Sequence, residues 1–149
     1  MKKTIGLTLV EILVTSAIVM TISGLGLAAY NDFNNRQILN ATADELKNNL
    51  RQVRGWAMAG RKMTGCTDTL SGYQISFSPG DCQYQVAVLC PNEIAVNTFS
   101  YSDKVTISYD HQSFVFQALT GETGDQIQID LVLGTRSKSL NINTNGEIN

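Results

Sequence analysis

The chain has 149 residues, 43% of them hydrophobic and 16% charged, and a formal net charge of −2. That length supports one modest folded domain beside a terminal helix and excludes a second independent domain. Residues 66–149 hold three basic side chains against nine acidic ones, a balance that opposes bulk nucleic-acid binding through phosphate neutralisation.

The first 30 residues, MKKTIGLTLVEILVTSAIVMTISGLGLAAY, set Lys2 and Lys3 ahead of Gly6 and then run almost wholly apolar, with one acid, Glu11. As a helix, the 24 residues 7–30 would cover about 36 Å at ~1.5 Å each, enough to cross a ~30 Å hydrocarbon core. A secretory signal peptide would open the same way but close on a small-residue cleavage site. Thr21-Ile22-Ser23-Gly24 and Gly26-Leu27-Ala28-Ala29 fit that pattern loosely, and such a peptide needs no carboxylate inside its apolar run. An ionised group at that depth costs about 2.5–3.5 kcal/mol, so Glu11 must lie near the interface, find a partner or serve a function. Lys2 and Lys3 place the N-terminus in the cytoplasm by the positive-inside rule and the remainder of the chain outside.

The stretch Gly6-Leu7-Thr8-Leu9-Val10-Glu11, behind a short basic leader and ahead of an apolar helix, resembles the class III signal of type IV prepilins and type II secretion pseudopilins. The resemblance implies a leader of residues 1–6, cleavage by prepilin peptidase between Gly6 and Leu7, and methylation of the new N-terminus at Leu7. It implies a membrane and filament-core helix over 7–30, in contact with the cytoplasmic membrane and then with other pilin or pseudopilin subunits. Glu11, fifth in the processed chain, would be the assembly carboxylate that pairs with the N-terminal amine of a neighbouring subunit. Two features depart from the family pattern. The first processed residue is Leu7 where Phe is usual, and the helix lacks the proline common in major pilins, leaving Gly24 and Gly26 to loosen it.

Beyond Tyr30 the composition turns polar, yet Leu39, Ala43, Leu46, Leu50, Val53 and Ala57 recur every three or four residues, the apolar stripe of an amphipathic helix. Residues 31–64 therefore form the second half of the helix. No proline interrupts 7–62, so one continuous helix is expected, with Arg61 and Lys62 near its C-terminal dipole and Gly60 or Gly65 ending it. The stripe supplies a core face for the domain that follows, residues 65–149.

From Gly72 the period becomes two. Tyr73, Ile75 and Phe77 alternate with polar residues, Ser78-Pro79-Gly80-Asp81 supplies turn chemistry, and Tyr84, Val86 and Val88 resume the alternation, the pattern of a β-hairpin. Val105, Ile107 and Tyr109 follow, then a hairpin turn at Asp110-His111-Gln112 and Phe114, Phe116 and Ala118. Ile127, Ile129, Leu131 and Leu133 alternate most cleanly, with Leu140 and Ile142 as partners beyond Gly134-Thr135. About six strands with short turns imply an α+β fold: a long N-terminal helix packed on an antiparallel sheet or small sandwich. The opening Gly72-Tyr73 and the closing Leu140-Asn141-Ile142-Asn143-Thr144-Asn145-Gly146 are similar to the GspH/FimT type of minor pilins and pseudopilins, which implies a pilin-like fold.

Three cysteines, Cys66, Cys82 and Cys90, allow one disulfide with one left over, and disulfides persist in oxidising compartments. A hairpin turning at Pro79-Gly80 sets Cys90 opposite Thr69 and near Cys66, predicting a Cys66–Cys90 bridge with Cys82 spare; three free thiols are the alternative. No metal, cofactor or catalytic residue is expected. His111 stands alone at a turn, no P-loop or Gly-x-Ser-x-Gly is present, and Glu122, Asp125 and Asp130 lack Ca²⁺-loop spacing. Arg136 and Lys138 resemble the short basic motifs by which some minor pilins capture DNA, and they are the candidate nucleic-acid contact of an otherwise acidic domain. The expected function is a minor pilin or pseudopilin subunit within or at the tip of a type IV pilus or secretion pseudopilus. The alternatives are a DNA-binding subunit of a competence filament and a membrane-anchored β-domain that never polymerises.

Overall fold

A computed structural model describes residues 8–78, 80–91 and 93–149, with the backbone alone for 25–28 and 93–96. One helix, α1 (Leu9–Met58), is followed by seven strands: β1 (Gly72–Phe77), β2 (Gln83–Leu89), β3 (Glu93–Ser100), β4 (Thr106–Tyr109), β5 (Ser113–Gln117), β6 (Ile127–Leu133) and β7 (Arg136–Ile142). The layout is α+β with antiparallel pairing throughout. The chain divides into two compact units, Met1–Gln37 and Ile38–Asn149, and α1 contributes to both.

In the first unit α1 leaves its apolar side chains uncovered: Leu9, Val10, Ile12, Leu13, Val14, Ile18, Val19, Met20 and Ile22 are all exposed. Among the described residues this is the one helix long and apolar enough to cross a membrane. Three of its hydroxyls fit that setting by donating to the helix's own backbone: Thr15 Oγ1 reaches Glu11 O at 2.8 Å, Ser16 Oγ reaches Leu13 O at 2.9 Å and Thr21 Oγ1 reaches Ile18 O at 2.8 Å.

In the second unit the stripe does what its spacing dictates. Leu39, Ala43, Leu46, Leu50, Val53 and Ala57 are all buried, in one core with Tyr73, Ile75, Val86, Phe116, Ile127, Ile129, Leu131, Leu140 and Ile142. The helix stops at Met58, short of Lys62. Gly60 takes φ +59°, its N–H donates to Ala57 O, and the Arg61 N–H donates to Trp56 O, the paired bonds of a Schellman cap. Gly65 lies beyond the end of α1 and plays no part in it. Tyr73 Oη donates to Arg61 O at 2.6 Å, while the Arg61 guanidinium lies 5.6 Å over the Trp56 ring, so the exit from the helix is pinned to β1.

Two sheets share that core, in the orders β3-β2-β1-β5 and β4-β6-β7. The β1–β2 hairpin forms as its alternation predicts, but Gly72 pairs with Leu89, so the centre of the turn lies one residue past Pro79-Gly80 and Cys90 falls beside Ser71, not Thr69. The strand β3 is absent from the six-strand reading. Its sequence Ile94-Ala95-Val96 breaks the alternation, and the ladder absorbs a register shift at Val86/Ala87. Asp110-His111-Gln112 is not a hairpin turn either. β4 pairs with β6 and β5 with β1, so this short segment carries the chain from one sheet to the other. β6 and β7 pair from Ile127↔Ile142 to Leu133↔Arg136, around Gly134 at φ +62°.

Beyond β7 the chain folds back: Asn149 N–H donates to Asn141 O at 2.9 Å and Asn143 N–H to Glu147 O at 3.0 Å. This return is fastened to the helix, where Arg51 Nη2 donates to Ile148 O at 3.2 Å and Arg54 Nη2 to Asn145 O at 3.0 Å. It depends on Gly146, at φ +76°, where a Cβ would run into the carbonyl oxygen of Gly121.

Candidate functional site

Two of the residues singled out by the sequence, Gly6 and Leu7, lie outside the described residues. The first that can be placed is Glu11, in the first turn of α1 and exposed. Immediately ahead of it sits Thr8, whose Oγ1 accepts the Glu11 N–H at 3.3 Å, while Thr8 O accepts the Ile12 N–H at 3.2 Å. Thr8 is thus the N-cap and Glu11 the third helical residue, the T-x-x-E order of a capping box. Reading Glu11 as an acid out of place in an apolar run, and as an assembly carboxylate, left out this local role. The pattern Thr8-Leu9-Val10-Glu11 was present in the sequence as a helix-start signal. A carboxylate here also faces the positive end of the helix dipole, so its position has a local electrostatic reason as well as any intermolecular one.

The arrangement is therefore an exposed apolar stretch of α1, from Leu9 to Ile22, whose one acidic side chain, Glu11, stands at its very start. Chemically it can do two things. It can bury its apolar surface in lipid or among other helices, and it can offer a single carboxylate to a cation at a depth fixed by the cap.

The remaining candidates lie in the second unit. Cys66 and Cys90 form a disulfide, with Cα atoms 5.8 Å apart, and Cys82 is a free, half-buried thiol. The bridge joins the loop after α1 to the end of β2. Lys138 does not project freely: its Nζ lies 3.3 Å from both Asn40 Oδ1 and Asp44 Oδ1, so β7 is tied to α1 through a charge that a phosphate would need. Arg136 sits on the same face of β7, half-buried.

Of the acids considered for Ca²⁺, Asp130 has its carboxylate engaged, accepting from Gln128 Nε2 at 3.1 Å. Among the described residues no group of three His, Cys, Asp or Glu side chains is placed to hold a metal ion. His111 Nδ1 lies 3.1 Å from Asp110 Oδ1. Desolvation pulls the Asp110 carboxyl upward, but hydrogen bonds from His111 and from the Gln128 N–H outweigh it and hold the group below the ordinary carboxylate range. Compared with protein-family models, curated proteins and solved structures, the chain has no match.

Proposed function

We propose that the chain is a minor pilin or pseudopilin: a subunit cut by prepilin peptidase between Gly6 and Leu7, methylated at Leu7, and assembled through its N-terminal helix into a pilus or secretion pseudopilus. The observation that carries this reading is the sequence Gly6-Leu7-Thr8-Leu9-Val10-Glu11 opening a helix whose first unit leaves its apolar side chains exposed while its second unit is built into a β-domain. Before assembly the helix rests in the cytoplasmic membrane, with Lys2 and Lys3 on the cytoplasmic side and the β-domain exported. During assembly it trades lipid for neighbouring helices. Glu11, unfavourable in hydrocarbon by about 2.5–3.5 kcal/mol if ionised and unpaired, is satisfied by a neighbour's N-terminal ammonium, and that pairing sets the register.

The test is intact mass and N-terminal sequencing after co-expression with a prepilin peptidase, beside a Gly6→Ala version. The expected product begins at Leu7 and is abolished by the substitution. A chain that keeps Met1, or is cut after Ala29, overturns the reading.

The capping of Glu11 by Thr8 favours one competitor, a membrane-anchored β-domain in which Glu11 merely helps start the helix. The two separate on Glu11→Gln, which leaves the Glu11 N–H to Thr8 Oγ1 bond in place. An assembly carboxylate requires loss of the subunit from sheared filaments at unchanged membrane levels. An anchor requires no change.

A further inference from the structure

The four-residue strand β4 has a free edge. Among the described residues it pairs only with β6, and the Asp110 N–H donating to Gln128 O fixes the phase of that ladder. Because facing residues in an antiparallel pair alternate between bonded and non-bonded, Ser108 and Thr106 also turn their backbone groups toward β6, and Ile107 and Tyr109 turn theirs away. The far edge of β7 is covered at its C-terminal end, where Asn141 and Asn143 bond to the returning segment that contains Glu147 and Asn149.

What the free edge of β4 faces is a cleft. A cavity of about 490 Å³ is lined by Thr106, Ile107, Ser108 and Tyr109 of β4 together with Asp81, Cys82 and Tyr101. Its walls are firm. Tyr109 stacks on Phe77 with ring centres 5.1 Å apart, Tyr101 Oη donates to Asp81 O at 3.2 Å, and Tyr101 N–H donates to Cys82 O at 2.9 Å. A second depression, about 320 Å³, shares Ser108 and Tyr109 with it and is otherwise lined by Asp110 and, on β6, by Gln128 and Asp130. Asp81 and Asp103 line the first space, and Asp110 and Asp130 the second. Against these four carboxylates, the neighbouring sequence supplies one fixed cation, Lys104, and His111 beside Asp110.

We propose that this cleft receives an extended, lysine- or arginine-bearing segment of a partner protein, which adds to the sheet as a strand beside β4. Strand addition takes its binding from main-chain bonds and its choice of partner from the flanking side chains. Ile107 and Tyr109 offer the main-chain bonds, and Asp81 and Asp103, which line the cleft, select a cationic segment over an acidic one. Four residues of edge extend about 14 Å at ~3.4 Å each, room for a segment of similar length. The proposal does not depend on membership of a filament, and its test reads a different part of the molecule.

The experiment uses the full chain in detergent micelles and a capped octapeptide of alternating lysine and valine. Two control peptides carry glutamate in place of lysine, or N-methyl groups on alternate peptide nitrogens. Backbone hydrogen exchange and binding are measured at low and high salt. The expected result is slowed exchange at Ile107 and Tyr109, with affinity about tenfold weaker for the N-methylated and glutamate peptides and falling with salt. Ile107→Pro removes an outward N–H without touching the β6 bonds and should weaken binding similarly. Equal binding of the N-methylated peptide would reduce the effect to surface charge and overturn strand addition. So would absence of protection at Ile107 and Tyr109, or protection arising without peptide as protein concentration is raised, which would make a second copy the occupant.

Discussion

Reducing the Cys66–Cys90 bridge should cost the β-domain a calculable share of its stability. The bridge closes a loop with a sequence separation of 24, and the chain-entropy relation assigns such a loop about 3.4 kcal/mol at 25 °C. The unit that melts, Ile38–Asn149, has 112 residues, and at ~2.1 cal/mol/K per residue its unfolding entropy is about 0.24 kcal/mol/K. Dividing one by the other predicts a fall in Tm of about 14 °C. The assay is thermal unfolding followed by near-ultraviolet circular dichroism of the full chain in detergent, with and without reductant, in a Cys82→Ala background that prevents thiol exchange. Cys66→Ser with Cys90→Ser should reproduce the reduced curve. A fall of less than about 4 °C would mean that the loop is already confined in the unfolded chain and would refute the entropic reasoning. Recovery of Cys82 in a bridged peptide from the native protein would refute the pairing itself.

Three further outcomes are expected. Gly146→Ala places a Cβ against the Gly121 carbonyl at a positive φ, and backbone strain plus overpacking should cost about 3 kcal/mol, lowering Tm by about 13 °C in the same assay. Burial of Tyr84, reinforced by the charge of Glu45 and only partly offset by the Asn49 hydrogen bond, pushes its hydroxyl up to about 12. The folded state therefore holds that proton longer than the unfolded one. Stability is complete below pH ~10 and falls by about 2–3 kcal/mol as pH rises through 12, a decline that denaturant titrations should find diminished in Tyr84→Phe. Lys138→Ala breaks an exposed contact with Asp44, and a double-mutant cycle with Asp44→Ala should return a coupling of about 0–1 kcal/mol.

The parts legible in the sequence are those governed by a single period. The buried stripe from Leu39 to Ala57 follows from helical spacing alone, and the β1–β2 and β6–β7 hairpins from alternation bounded by glycine-containing turns. What escaped depends on contacts between distant residues. Nothing local to Asp110-His111-Gln112 distinguishes a hairpin turn from a passage between sheets; that is settled by Phe114 and Phe116 finding Ile75 and Tyr73 some 40 residues earlier. β3 escaped because one extra residue of its own, Val96, slips the register opposite Val86/Ala87 and lets a non-alternating sequence pair. At the candidate site the sequence showed that Glu11 is out of place in an apolar run, and its spacing from Thr8 also held the reason the helix starts there.

The fastening of Ile148 to the helix has a consequence in time. Arg51 receives its carbonyl partner from a residue 97 positions later, and at ~5–20 residues per second a ribosome needs about 5–20 s to deliver it. Throughout that interval the far end of α1 has been made but cannot be completed, because the carbonyls that Arg51 and Arg54 bond have yet to be synthesised. The closing segment works as a clock: the domain locks only after nearly all of it has been synthesised.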